Sequence, residues 1–432
     1  MNILTAQKKF SVLILGNGLT GKSVANWCDR NHIRFLIYSD EEKNNIDFLP
    51  SIIIRSPGFP KNHRIISTYE KKKIIICGDF QAAKIFGLLG KNIKIIGITG
   101  TNGKTTVTKM VYRIMKNFYK NTHLVGNIGI PIFNIIEKLN KKNEETYLIA
   151  ELSSFQLSDK INLPVDSGVI LNISHDHLDW HKDYKDYIKS KINIFNEAKN
   201  KISNINCKEL IKKYTNYDDV SYFGDSEKKE SFYGQNKDDF MQIFQANKLI
   251  IKKKNKITQT SFDNVIASVS VLNNYLPISK SIINALLKFG TIEHRFENFF
   301  SKNGIKFIND SKSTNIGATI AALNNLYNPI ILIFGGQSKK QNISLINSHL
   351  KMVKLIILIG EEKKKIKNEI DGNMKILVAK SLNNAVRTSL KYAKEKDVVL
   401  FSPGCASKDW FKNFEDRGNQ FKNIVIEMYE EN

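Results

Sequence analysis

The sequence predicts an α/β protein with mostly parallel sheets, and three observations carry that prediction. Short apolar runs recur along the 432 residues, and segments with apolar residues at helical spacing separate them. Gly-rich or polar loops follow the ends of many of these runs. The length suits about two to four domains of roughly 100–200 residues each. Alternating strands and helices with such loops are typical of Rossmann-like and phosphate-loop folds.

The amino-acid composition limits the kinds of partner that this protein is expected to bind. The formal net charge of +23 invites a nucleic-acid-binding interpretation, but the lysines lie in short clusters along the whole chain, such as 71–73, 252–254 and 363–365. No apolar run approaches the roughly 18 residues of a membrane-spanning helix, and the first residues do not resemble a secretory signal. The four cysteines have no metal or disulfide spacing. We therefore expect a cytoplasmic monomer that binds neither nucleic acid nor membrane.

The first predicted domain covers residues 1–86. A strand at Ser11–Leu15 leads into a Gly-rich turn at 16–21, a helix through Asn31 and a second strand at 33–38. Asp40 follows at the distance of the acidic residue in dinucleotide fingerprints. A Gly-rich turn of this geometry recognises the diphosphate of a ligand and does not distinguish nicotinamide from other groups. An NAD enzyme and another diphosphate-binding protein are therefore both consistent with the motif.

The second predicted domain, residues 87–291, contains the most informative loop. An apolar run at 93–98 predicts a buried strand, and apolar residues from Val107 to Phe118 predict a helix. Between them lies Gly-Thr-Asn-Gly-Lys-Thr-Thr, residues 100–106. A helix N-terminus after a Gly-rich loop binds phosphate, Lys104 adds a cation, and the Thr105 hydroxyl can hold Mg²⁺. We interpret the loop as a nucleoside-triphosphate site.

Candidate metal ligands follow two strands of this segment. Glu151 comes after the apolar run 147–150, where a carboxylate could bind Mg²⁺ or could instead stabilise a helix start. Residues 174–181 follow the next run, and among their three histidines we favour His177 as a ligand of Mg²⁺ or Mn²⁺. His175 and His181 are expected to be bystanders. An ordinary loop histidine remains the competing interpretation of His177.

Lys191 occupies an unusual position in the helix that follows. It falls in the middle of an apolar stripe formed by Tyr184, Tyr187, Ile188 and Phe195. A lysine there normally extends its ammonium to the surface. The alternative is a buried neutral amine, which could react with CO₂ to give a metal-binding carbamate.

The third predicted domain, residues 292–432, again alternates strands and helices. The predicted strands are 305–308, 330–334, 355–359, 376–378 and 398–401. Polar loops at 309–315, 335–339 and 402–407 follow three of them, which favours one shared cleft over three solvated turns. The polar stretch 201–260 in the second domain is predicted to contain short strands and surface loops.

The chain as a whole resembles the Mur ligase family, and the motifs cover nearly its full length. The matching segments are 16–23, 99–105, 126–129, 151–157, 176–179, 294–297 and 402–418. The resemblance implies three domains: an N-terminal Rossmann-like uridine-nucleotide domain, a central phosphate-loop ATPase-like domain and a C-terminal Rossmann-like amino-acid domain. It also implies ATP-dependent addition of D-glutamate to UDP-N-acetylmuramoyl-L-alanine through an acyl phosphate, in peptidoglycan precursor synthesis.

The resemblance further implies a role for each matching residue. The ATP-binding positions would be Gly100, Thr101, Asn102, Gly103, Lys104, Thr105, Thr106, Asn264, Arg295 and Asp310. The UDP-substrate positions would be Leu19, Thr20, Asp40, Asn127 and Ser153, and the D-glutamate positions Thr314, Lys339, Ser407 and Phe414. Thr105 and Glu151 would hold one Mg²⁺ ion, and His177 with Lys191 carbamylated by CO₂ would hold a second. The catalytic residues would be Lys104, His177, Lys191 and Lys312.

The chain departs from the family pattern at four positions that affect affinity rather than the reaction, one of which is Asp263, where the family commonly has histidine. Ala267 stands where the family usually has a second asparagine, Gln337 where it has an acid, and Lys408 where it has an apolar residue. A folylpolyglutamate synthase, a basic nucleic-acid-binding ATPase and a dehydrogenase are the other functions considered.

Overall fold

The computed structural model describes residues 10–39, 45–139, 144–159, 161–224, 232–237, 240–245, 247–254, 259–289, 293–338 and 341–430. Within these ranges the chain forms four sheets with helices between the strands. It divides into two compact units: Met1–Ile173 with Lys182–Lys288, and Ser174–His181 with Phe289–Asn432. The helices in these ranges are all too short or too polar to cross a bilayer.

The first sheet is parallel, as the sequence predicts, and its strand order is β2-β1-β3-β4. Its strands are β1 (Ser11–Leu15), β2 (Arg34–Tyr38), β3 (Ile52–Arg55) and β4 (Ile75–Cys77). The helices of this part of the chain are α1 (Leu19–Arg30), α2 (Arg64–Lys71) and α3 (Asp79–Ile85). β1 and β3 are buried along their length, which explains their apolar sequences.

The second sheet is also parallel, with order β10-β9-β8-β5-β7-β6. Its strands are β5 (Ile93–Thr99), β6 (Thr122–Gly126), β7 (Thr146–Glu151), β8 (Ser167–Ile170), β9 (Asn200–Asn204) and β10 (Val220–Phe223). The helices are α4 (Lys104–Phe118), α5 (Ile136–Leu139), α6 (Ser154–Leu157), α7 (Tyr184–Ile192), α8 (Lys208–Tyr214), α9 (Gln259–Leu272) and α10 (Lys280–Leu287). Because β5 lies between β8 and β7, the loops after these three strands meet at one edge.

The first two sheets share a hydrophobic core. Trp27 of α1 stacks on Phe86, with 5.2 Å between ring centroids, and lies at the same centroid distance from Phe133. Ile14 of the first sheet and Ile95 of the second belong to the same buried cluster. The predicted domain boundary between residues 86 and 87 therefore lies inside one compact unit. The division of this unit into two domains stays a prediction.

A small antiparallel sheet follows the second one in the chain. Its strands are β11 (Phe232–Lys237), β12 (Phe240–Gln245) and β13 (Lys248–Lys254), in sequence order. It confirms the short strands predicted for the polar stretch 201–260. The same stretch also contains α8, which the sequence analysis did not predict because Ile211 is its one buried residue.

The sheet of the second unit has the order β14-β15-β19-β16-β17-β18. Its strands are β14 (Glu297–Lys302), β15 (Ile305–Asn309), β16 (Ile330–Gly335), β17 (Val353–Ile359), β18 (Ile376–Val378) and β19 (Val398–Phe401). The helices are α11 (Ile316–Leu323), α12 (Lys363–Glu369), α13 (Leu382–Tyr392) and α14 (Phe414–Glu430). The five predicted strands are confirmed. β14, an antiparallel edge strand without a fully buried residue, was missed.

Candidate active site

The loop between β5 and α4 has the geometry of a phosphate-binding site. Gly103 precedes the first helical residue and has a φ of 85°. A β-carbon there would lie 2.7 Å from the Oδ1 atom of Asn264, so a side chain is excluded. The Nζ atom of Lys104 donates to the carbonyl oxygens of Gly100 (2.7 Å) and Thr101 (2.8 Å). The loop therefore combines a helix N-terminus with a fixed ammonium group.

Asn172 holds this loop from the neighbouring strand end. Its Oδ1 atom accepts from the backbone nitrogen of Asn102 (2.8 Å), and its Nδ2 atom donates to the carbonyl of the same residue (3.0 Å). The carbonyl of Asn172 accepts from the backbone nitrogen of Thr101 (2.9 Å). Asn172 was not among the predicted site residues, although its place between an apolar run and the polar segment 174–181 was a usable signal.

Lys191 lies directly against the phosphate loop. Its side chain is 2% exposed, and its Nζ atom donates to the carbonyl of Gly100 (2.9 Å). The ammonium also lies 4.8 Å from the ring centroid of Tyr187, whose hydroxyl is 2.8 Å from Oγ1 of Thr101. The interpretation in which this lysine extends to the surface is therefore wrong. The structure agrees with the alternative interpretation, a buried amine.

Glu151 is the last residue of β7 and is 2% exposed. Its Oε1 atom accepts from Nδ2 of Asn127 (2.9 Å), whereas its Oε2 atom is buried and has no hydrogen-bond partner among the described residues. A buried carboxylate oxygen is costly without a donor or cation. Glu151 thus fits a cation ligand, and the helix-start interpretation is wrong because α6 begins at Ser154.

Ser153 and Thr105 are the two hydroxyl residues predicted to bind ligands in this part of the chain. Ser153 is the N-cap of α6, accepts from the backbone nitrogen of Gln156 (3.3 Å) and forms a capping box with it. Thr105 is buried in the first turn of α4. The described residues contain no group of three or more His, Cys, Asp or Glu side chains arranged around a metal position. A carboxylate such as that of Glu151 could hold Mg²⁺, which retains several water ligands in proteins.

A cavity of about 150 Å³ opens beside the phosphate loop. Asparagine side chains dominate its lining, which includes Asn102, Asn172, Asn204, Asn206 and Asn264. The structure therefore brings the predicted nucleotide position Asn264 to the loop. Ala267 lines the same cavity, so its missing amide leaves that part of the wall apolar.

The predicted UDP-substrate residues of the first sheet lie at the start of α1. Leu19 is its first residue and is 81% exposed, and Thr20 follows it. A β-carbon at Gly21 would overlap the carbonyl oxygen of Gly16, so the turn needs glycine to pack against the helix. Asp40 lies outside the described residues.

In the second unit, Asp310 is the centre of a buried hydrogen-bond network. It accepts from the backbone nitrogen of Phe296 (3.0 Å) and from the hydroxyls of Ser402 (2.8 Å) and Ser313 (2.5 Å). Burial raises the pKa of this carboxyl. Arg295, the other nucleotide position predicted here, precedes Phe296 in the chain. The network joins the loops after β15 and β19, as the shared-cleft prediction requires.

Two of the predicted D-glutamate residues, Thr314 and Ser407, lie in these two loops. The Nζ atom of Lys312 lies 4.9 Å from the ring centroid of Phe414, the first residue of α14. Ser407 is buried in the loop after β19, and Thr314 is partly buried in the loop after β15. Lys339 lies outside the described residues.

Arg417 connects these loops and was given no role in the sequence analysis. Its guanidinium is fully buried and donates to Oγ of Ser311 (3.0 Å), the carbonyl of Ser311 (2.7 Å) and the carbonyl of Cys405 (3.1 Å). Burial lowers the pKa of this arginine to about 10. It stood inside the matching segment 402–418, but no sequence pattern could identify its partners.

His177 belongs to the short segment Ser174–His181, which is part of the second unit. Its backbone nitrogen donates to Oδ1 of Asp176 (2.9 Å), and Oδ2 of Asp176 accepts from Nδ2 of Asn315 (3.1 Å). Of the expected bystanders, His175 is exposed and His181 is buried. The role of His177 as a metal ligand stays a prediction.

Comparisons with known proteins agree with this geometry. The profile of the Mur ligase middle domain matches residues 98–272, and that of the Mur ligase, glutamate ligase domain matches residues 294–405. A protein of Caldicellulosiruptor bescii named UDP-N-acetylmuramoylalanine--D-glutamate ligase is 35% identical, with 97% of this chain and 98% of that protein covered. Its namesake from Francisella philomiragia is 32% identical, with 98% of each covered.

Solved structures show the same fold at low sequence identity. The MurF ligase of Thermotoga maritima in complex with ADP has a TM-score of 0.62 at 16% identity, with 100% of this chain and 97% of that chain covered. Escherichia coli FolC in complex with DHPP and ADP has a TM-score of 0.59 at 16% identity, with 81% and 92% covered. Identity above 30% over nearly the whole length decides the relationship, and the chain belongs to the Mur ligase family.

Proposed function

We propose that this chain is an ATP-dependent amide ligase that adds D-glutamate to UDP-N-acetylmuramoyl-L-alanine. The observation that carries the proposal is a phosphate loop with a fixed lysine inside a chain whose full-length relatives bear the name of that ligase. The reaction would form ADP, phosphate and one new amide bond. It would supply a peptidoglycan precursor in the cytoplasm.

The first step transfers the γ-phosphoryl group of ATP to the substrate carboxylate. The carboxylate oxygen attacks the γ-phosphorus, and the bond between that phosphorus and the β-phosphate oxygen breaks. ADP is released, and the substrate carboxylate has become an acyl phosphate. Lys104 and the N-terminal amides of α4 would neutralise charge on the transferring group, and the position of the Lys104 ammonium at the phosphate loop supports this role. The hydrogen bonds of Asn172 fix Thr101 and Asn102, so the phosphate loop needs little reorganisation when ATP binds.

Divalent cations complete the proposed ATP site. Thr105 and Glu151 would hold one Mg²⁺ ion, and the unpartnered Oε2 atom of Glu151 supports that assignment. When bound, the ion supplies positive charge that aligns the phosphates and polarises the transferring group. His177 and carbamylated Lys191 would hold a second ion, for which Mn²⁺ is an alternative. The amine of Lys191 must lose its proton before it can add CO₂.

The second step forms the amide bond. The amine of D-glutamate attacks the acyl carbon, phosphate leaves with the bonding pair, and the nitrogen loses a proton. Thr314, Lys339, Ser407 and Phe414 would bind D-glutamate, and the contact between Lys312 and the Phe414 ring supports a shared site for at least two of the predicted residues. Leu19, Thr20, Asp40, Asn127 and Ser153 would bind the UDP substrate.

Phosphate release tests the reaction. The purified protein is given ATP, Mg²⁺, UDP-N-acetylmuramoyl-L-alanine and either D-glutamate or L-glutamate. We expect phosphate only with the D-isomer, and replacement of the UDP substrate by a folate should abolish release. Release with a folate and L-glutamate would instead support a folylpolyglutamate synthase.

The carbamate on Lys191 has its own test. ¹³C-labelled bicarbonate should give a carbamate carbon resonance in the wild-type protein and in Lys189→Ala, which alters an exposed lysine of the same helix. Lys191→Ala should lack that resonance and should show no turnover, with or without added bicarbonate. Normal turnover of Lys191→Ala would refute the carbamate.

A further inference from the structure

We propose that Arg417 is a positioning residue that fixes the geometry of the amino-acid-binding loops of the second unit. The inference rests on the proposed function, because it concerns the residues expected to bind D-glutamate. Arg417 is not expected to touch the substrate, since its guanidinium is fully buried. Its effect passes through the three chain segments that it joins.

The first segment is the loop after β15, which carries Lys312 and Thr314. Arg417 donates from Nε to the hydroxyl of Ser311 and from Nη2 to the carbonyl of the same residue. The backbone nitrogen of Lys312 also donates to the carbonyl of His294 (3.0 Å). Arg417 thus holds Ser311, the residue before Lys312, at both its hydroxyl and its backbone carbonyl.

The second segment is the loop after β19, which carries Ser407. Arg417 reaches it from Nη1 through the carbonyl of Cys405 (3.1 Å). Gln337 and Ala406 add two backbone hydrogen bonds, N to O in each direction (3.1 and 2.9 Å), so the turn is also fixed at the residue directly after Cys405. Displacement of Cys405 would therefore move the start of the Ser407 loop.

The third segment is the start of α14, where Phe414 lies. The hydroxyl of Ser311 donates to the carbonyl of Phe414 (2.9 Å) while it accepts from Arg417. One guanidinium and one hydroxyl consequently set the spacing between segments that carry Thr314, Ser407 and Phe414. Planar guanidinium geometry suits this task, because its donors point in fixed directions toward separate acceptors.

Lysine cannot reproduce these bonds. A shorter ammonium could reach one of the acceptors, and the remaining buried oxygens would lose their donor. The variant Arg417→Lys should raise KM for D-glutamate at least tenfold, while KM for ATP and for the UDP substrate changes less than threefold. The matched control is Arg387→Lys, which alters an exposed arginine of α13 in the same unit.

Ser311→Ala keeps the guanidinium and both carbonyl acceptors but removes the hydroxyl bridge to Phe414. It should raise KM for D-glutamate about fivefold. If Arg417→Lys does not accumulate as folded protein, Ser311→Ala alone tests whether these hydrogen bonds position the D-glutamate residues. An unchanged KM for D-glutamate in folded variants, or an equal rise in all three KM values, overturns the proposal. A wild-type protein without D-glutamate-dependent turnover would refute the proposed function instead.

Discussion

Each unit of this protein buries an arginine, but the two arginines have different surroundings. In the first unit, Arg55 at the end of β3 donates to Oδ1 of Asp159 at 2.6 Å, and both side chains are nearly inaccessible. In the second unit, the acceptors described above for Arg417 are a hydroxyl and two carbonyl oxygens, all uncharged. One region therefore contains a buried ion pair, and the other a buried cation among neutral acceptors.

The region around Arg55 also holds the end of a helix. Arg55, Lys61 and Gln81 donate to the carbonyl oxygens of residues 155, 158 and 156 respectively, at 3.2, 2.9 and 3.3 Å. These carbonyls lie at the C-terminal end of α6, where a helix lacks internal donors. Side chains from β3, from the segment between β3 and α2, and from α3 thus fix the helix whose N-cap is Ser153.

The difference between the regions predicts a difference in pH dependence. Burial raises the pKa of Asp159 and raises that of neighbouring Asp79 to about 6, and the charge of Asp159 adds to the rise at Asp79. Arg417, with a pKa of about 10, keeps its proton throughout the range in which these carboxyls titrate. The Arg55–Asp159 ion pair should therefore respond to mild acid, whereas none of the three acceptors of the Arg417 guanidinium is a carboxylate that could be protonated there.

The largest expected effect comes from leaving Arg55 without its anion. Asp159→Ala should lower the free energy of unfolding of the first unit by about 3–5 kcal/mol, because an uncompensated charge would remain buried. Urea denaturation followed by tryptophan fluorescence measures it, since Trp27 lies in the core shared by these sheets.

Two comparisons sharpen this prediction. Asp218→Ala, at an exposed position, should change stability by less than about 0.5 kcal/mol. The double variant Arg55→Met with Asp159→Leu removes both charges and should recover most of the loss. A loss in the double variant as large as in Asp159→Ala would show that packing, rather than the unpaired charge, explains the effect.

The second-largest effect on stability should come from the titration of Asp79. Its pKa of about 6 in the folded protein exceeds the value of roughly 4 in an unfolded chain, so the folded state binds the proton more tightly. The stability from this group is therefore complete below about pH 4 and is lost as the pH rises toward 6. At about 1.4 kcal/mol per pKa unit, the loss is on the order of 3 kcal/mol.

Asp79→Asn should remove that loss. Urea denaturation at pH 4, 5, 6 and 7 should show the variant gaining stability relative to the wild type as the pH rises. The control Asp218→Asn should follow the wild-type curve. Parallel curves for Asp79→Asn and the wild type would mean that Asp79 does not titrate in this window.

Periodicity in the sequence predicted much of this structure, because strands and amphipathic helices are encoded locally. The apolar spacing around Lys191 left a surface ammonium and a buried amine both open, and the structure decides for the buried amine. The apolar runs located the strands that carry the phosphate loop and Glu151. The hydrogen bonds of Asn172 and Arg417 could not be predicted in this way. Except for the bond from Arg417 to Cys405, which spans 12 residues, they depend on the approach of segments that are 70 or more residues apart.

The smallest effect should come from an exposed ion pair of the first unit. Lys84 of α3 contacts both carboxylate oxygens of Glu197, at 2.7 and 2.6 Å, but the two side chains are 41% and 34% exposed. Water and salt screen such a pair, so a double-mutant cycle with Lys84→Ala and Glu197→Ala should give a coupling of about 0.2–1 kcal/mol that shrinks in 1 M NaCl. The corresponding cycle for Arg55 and Asp159 should give a larger coupling that is less sensitive to salt. Equal couplings would mean that burial does not make the Arg55–Asp159 pair stronger than the exposed Lys84–Glu197 pair. The predicted difference between the Arg55 and Arg417 regions would then have no physical basis.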